Sequence, residues 1–133
     1  MSEATFIFPN KKLLSGVPEG LDAHYLVKKI QTENSSLVHI TRDDKRALAL
    51  KTAVKFFDPK ITVLEFPAWD CLPYDRVSPN KEISCLRVST LTKLIKNPTE
   101  ARLIITASNA LTQRVPPKEF IASNLIFLYR TLI

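Results

Sequence analysis

Two spacings of apolar residues alternate along this chain. Continuous apolar-rich runs, Leu37–Ile40, Ile61–Phe66 and Arg102–Thr106, predict buried strands. Between them, apolar residues recur at three- and four-residue steps, the mark of amphipathic helices. Over Asp43–Phe57 the recurring positions are Ala47, Leu50, Ala53, Val54 and Phe57, and Asp58-Pro59 ends the helix. Further helices are predicted over Leu21–Ile30, Pro79–Lys96 and Asn109–Gln113, with a last apolar run at Leu125–Tyr129. Strand–helix–strand alternation with continuous apolar strands predicts an α/β fold, a parallel sheet of four or five strands with helices on both faces. No internal repeat or low-complexity tract interrupts it.

The stretch Phe66–Leu94 departs from this regularity. It gathers Trp69, Tyr74, Cys71, Asp70, Asp75 and several prolines into a loop ahead of the longest helix. Such loops commonly carry recognition. Ser78 is the expected N-cap, Pro79 the first helical residue, and Glu82 suits the positive end of the helix dipole. Ile83, Leu86, Leu91, Leu94 and Ile95 form one apolar face, and Arg87 falls within it. A guanidinium cannot be desolvated alone. It is expected to pair with a carboxylate or carbonyl of the Trp69–Asp75 loop, Asp70 and Asp75 being the nearest carboxylates. Those two Asp residues could alternatively form an acid/base dyad, though an ion-paired loop suits the surroundings better. Trp69 and Tyr74 could stack on nucleic-acid bases or pin the loop to the core.

At 133 residues the chain is long enough for one domain with a real core. The net charge of +6 raises a nucleic-acid reading, but Lys and Arg are scattered among acidic residues. That pattern predicts a solvated surface with at most weak DNA contact. Cys71 and Cys85 lack metal-ligand spacing and read as free thiols of a cytoplasmic protein. His24 and His39 stand alone, so no metal is expected. No apolar run approaches membrane-span length.

The two glycines, Gly16 and Gly20, precede the first helix, where a phosphate-binding loop would sit. A working loop needs G-x-x-x-x-G-K-[ST]. Counting from Gly16, its second glycine is Leu21, its lysine Asp22 and its hydroxyl residue Ala23. Asp22 reverses the sign of the central charge and opposes a triphosphate by Coulomb repulsion. The strand Leu103–Thr106 also ends without a carboxylate. An ordinary glycine turn ending in an N-cap is the other reading.

Two blocks of this sequence resemble the N-terminal part of Mfd, the bacterial transcription-repair coupling factors. The first is Phe66-Pro67-x-Trp69, Leu72-Pro73-Tyr74-Asp75, Ser78-Pro79, Ile83, Arg87 and Ser89-x-Leu91-x-x-Leu94. The second is Leu103–Thr106 followed by Asn109-Ala110-Leu111-x-Gln113-Arg114-Val115-x-Pro117. Together they span roughly the second half of the chain. The resemblance implies an incomplete RecA-like domain over residues 1–122, similar to the excision-repair protein UvrB but without a working ATPase motif. Residues 123–133 would then begin a following domain.

By the same resemblance the module is a non-catalytic recruitment and regulatory platform of transcription-coupled nucleotide-excision repair. The chain is expected to need no cofactor, ATP and Mg²⁺ belonging to motor domains elsewhere in the full-length translocase. UvrA would bind mainly through the next domain, and RNA polymerase and DNA through others. Neither a membrane nor a small-molecule substrate is implied. Two rival readings are an autonomous nucleotide-binding enzyme and an independent DNA-binding module. The twelve residues Ala68–Pro79 are too short for a UvrB-like clamp hairpin, which weighs against the second.

Overall fold

The computed structural model describes residues 15–71, 76 and 78–123. In chain order these form α1 (Leu21–Glu33), β1 (Leu37–Thr41), α2 (Asp44–Phe57), β2 (Thr62–Phe66) and α3 (Lys81–Lys96). They continue with β3 (Arg102–Ala107), α4 (Ser108–Leu111) and α5 (Lys118–Ser123). The described strands make one parallel sheet in the order β1-β3-β2. Leu37 pairs with Leu103 and Thr62 with Arg102, and both ladders continue without a break. The fold is thus the expected α/β class with a parallel sheet, three strands rather than four or five among the described residues. The run Leu125–Tyr129 and the boundary drawn at residue 123 involve residues outside the described set.

Topology explains why the sheet is covered twice. The chain crosses from β1 to β2 and then returns to β3 between them. Right-handed crossovers in opposite directions put α2 and α3 on opposite faces. Side-chain parity agrees, since every residue of β3 is buried. Leu103 and Ile105 join Ala23, Val27, Ile30, Leu50, Val54 and Ile61 in the core beneath α1 and α2. Arg102 faces the other way and donates to the Lys93 carbonyl of α3 at 3.0 Å.

Local chemistry sets the helix ends. Asp43 caps α2, its carboxylate accepting the Arg46 N–H at 2.8 Å. α1 runs three residues beyond its predicted end and stops at Asn34, whose φ of 47° is the left-handed turn that Asn tolerates. The start of α3 corrects the sequence reading. Asn80, not Ser78, is the N-cap, its amide oxygen accepting the Glu82 N–H at 2.9 Å. The Asn80 N–H is in turn held by both Asp70 carboxylate oxygens, at 3.1 and 3.3 Å. Ser78 and Pro79 therefore stay ahead of the helix. The buried positions of α3 are Arg87, Thr90 and Thr92, while Leu86 is 38 % exposed, so its inward face is centred on the polar residues. Thr90 earns its place by donating its hydroxyl to the Glu65 carbonyl at 2.6 Å. The helix α5, begun by the Ile121 N–H bonding to the Pro117 carbonyl at 3.2 Å, is absent from the sequence expectation.

Candidate functional site: an arginine clamp behind the aromatic loop

Strand β2 carries Phe66 to its end and releases Pro67, buried Ala68 and half-buried Trp69 into the loop. From α3, Arg87 reaches back beneath them and is only 2 % exposed. Its guanidinium carbon lies 4.1 Å from the centre of the Phe66 ring and 4.4 Å from that of Trp69. One guanidinium nitrogen donates to the Pro67 carbonyl at 2.6 Å and to the Gln113 side-chain oxygen at 3.2 Å. The same Gln113 oxygen accepts the Trp69 backbone N–H at 2.8 Å. Gln113 follows α4 and belongs to the second sequence block. One amide oxygen therefore joins both blocks to the arginine.

The partners differ from those the sequence suggested. Among the described residues no carboxylate pairs with Arg87, and exposed Asp70 caps the helix start instead. The carbonyl used belongs to Pro67, two residues ahead of Trp69. Burial lowers the Arg87 pKa from its ordinary value, but a guanidinium remains charged in proteins. Its compensation comes from two neutral oxygens and two aromatic faces. Desolvated cation–π contacts are worth about 2 kcal/mol or more, so this cradle can hold a cation that lacks a counter-ion. It also takes one face of Trp69 out of use for stacking on a base.

The other sequence-nominated residues of these blocks do not join the clamp. Ser78, Asn109 and Arg114 are exposed and Pro79 is half-buried. The Asn109 carbonyl accepts the Thr112 hydroxyl at 2.9 Å. Leu72, Pro73, Tyr74 and Asp75 lie outside the described residues. Asn80, Thr90 and Thr106 were missed. Only Asn80, a good cap residue just before a helical pattern, carried a local signal.

The glycine loop lies at the start of α1. Gly16 and Gly20 have φ of 70° and 93°, the left-handed region that glycine enters freely, and Gly20 is the N-cap position. Arg46 of α2 stands across from the loop. It pairs with Glu19 at 2.8 Å and, through its other terminal nitrogen, with Asp22. Asp22 also accepts the Ala23 N–H at 2.9 Å, and Ala23 is fully buried in the core. Asp22 is thus an anion already matched to a cation, and Ala23 is sealed within the core. His39 of β1 is half-buried nearby. Burial is the main cause of its lowered pKa, with Asp22 opposing and Arg46 adding to the shift.

In open parallel sheets, ligands settle beyond the carboxyl ends of the strands. Here that edge is tied off by hydroxyls. Thr41 donates to the Thr106 carbonyl at 3.2 Å, Thr106 to the Phe66 carbonyl at 2.8 Å, and Ser108 to the Arg42 carbonyl at 3.1 Å. Among the described residues no group of three His, Cys, Asp or Glu side chains could hold a metal. Cys71 and Cys85 are free thiols. No helix among the described residues is long and apolar enough to cross a membrane.

Comparison with known proteins places these features. The chain is 35 % identical over 100 residues to the transcription-repair-coupling factor of Rickettsia bellii, covering 75 % of this chain and 9 % of that protein. With the Rickettsia prowazekii protein of the same name it shares 35 % over 96 residues, or 72 % of this chain and 8 % of the relative. With that of Escherichia coli it shares 32 % over 117 residues, or 86 % of this chain and 10 % of the relative. The chain thus spans about a tenth of the length of the curated relatives it matches. No protein-family model matches it. No solved structure matches it either.

Proposed function

The chain belongs to the transcription-repair-coupling factor family, and from that premise we propose that it is a non-catalytic module, a platform for recruitment and regulation in transcription-coupled repair. The observation that carries this reading is the pairing of Arg46 with both Glu19 and Asp22 at the glycine loop. A phosphate entering there would displace one carboxylate from Arg46 and face the other. Ala23, buried in the core, offers no hydroxyl at the position that holds Mg²⁺ in a working loop. Phe66, Pro67, Trp69, Arg87 and Gln113 of the two sequence blocks serve the clamp rather than a reactive group. The segment Pro67–Trp69, anchored by the clamp at the end of β2, suits a surface that other proteins read.

In this proposal the ATP-dependent translocation of the family resides in other parts of the full-length proteins. UvrA, RNA polymerase and DNA are engaged largely through those parts too. Residues 1–122 form the UvrB-like unit, and residues from 123 begin the next. Titration with a fluorescent ATP analogue and Mg²⁺ tests the core of the reading. No saturable binding up to millimolar nucleotide is expected, whereas a micromolar dissociation constant would establish a nucleotide-binding module instead.

A further inference from the structure

We draw no further inference here: the strongest candidate, the outer edge of β1 with the exposed side chains of Val38 and Ile40, is an unpartnered apolar surface among the described residues, and nothing in the structure shows what covers it.

Discussion

The side-chain oxygen of Gln113 lies 3.2 Å from the guanidinium of Arg87, twenty-six positions earlier in the chain. The same oxygen holds the Trp69 N–H. Through this single acceptor, α3, the loop after β2 and the segment after α4 become one mechanical unit. The aromatic loop therefore hangs from the sheet at three points, namely the Phe66 ring, the Pro67 carbonyl and the Trp69 amide.

Arg87→Ala removes the donor that satisfies the Pro67 carbonyl and leaves a cavity between two rings. A loss of roughly 2–4 kcal/mol is expected, a large share of the stability of a small domain. Arg87→Lys should recover only part of this, because an ammonium lacks the planar fork that both stacks and donates. Urea unfolding of the three proteins measures it. An unchanged midpoint for Arg87→Ala would mean the clamp contributes nothing to folding.

Gln113→Leu keeps the volume but deletes the shared acceptor. It strands the Trp69 N–H and one donor of Arg87, at a cost of about 1–3 kcal/mol. Because the two residues share a bond, the double variant with Arg87→Ala should lose less than the sum of the single losses. A double-mutant cycle with strictly additive losses would show that they act separately.

At the glycine loop, Asp22→Lys with Ala23→Thr restores the residues that a phosphate loop uses but sets a lysine against Arg46. ATP binding should remain absent, since Leu21 still holds a glycine position. The protein should also become less stable by about 1 kcal/mol or more, from the lost pair at a partly exposed site and the hydroxyl forced into the core. Nucleotide titration and thermal melts read the two effects separately.

Stability should fall on acidification in two stages. The folded state lowers the pKa of His39, chiefly by burying it. The unfolded chain therefore binds its proton first, and His39 costs stability as pH drops below about 6.5. Asp43, Asp58 and Glu100 are lowered by hydrogen bonds to their carboxylates, the largest being those from the Arg46 and Lys60 backbone N–H groups and the Thr62 hydroxyl. What they contribute is present above about pH 4 and lost below it. His39→Gln should flatten the first stage and leave the second. A melting temperature that is level from pH 7 to 5 in the parent would contradict the assignment to His39.

Duplex DNA should bind weakly and without sequence preference, with dissociation constants of about 10⁻⁴–10⁻⁶ M that weaken steeply with salt. Tight, salt-resistant binding that discriminates damaged duplex would overturn the platform reading.

The sequence by itself determined the alternation of strands and helices and the parallel sheet. Each follows from local periodicity or from residue types at fixed spacing, which neighbours along the chain enforce. It also singled out Arg87 and Gln113, without showing that they meet. Tertiary structure decided the partners. Arg87 turned to a neutral carbonyl, an amide and two rings, although carboxylates stood closer in the sequence, because the packing of α3 on β2 sets where its side chain lands. Asp70 was then taken by the backbone of Asn80, which moved the helix start two residues past Ser78. Arg46, unremarkable in the sequence, became the counter-ion of the glycine loop, because α1 and α2 lie side by side on one face of the sheet. Contacts across twenty or more residues depend on that placement, and no local pattern encodes it.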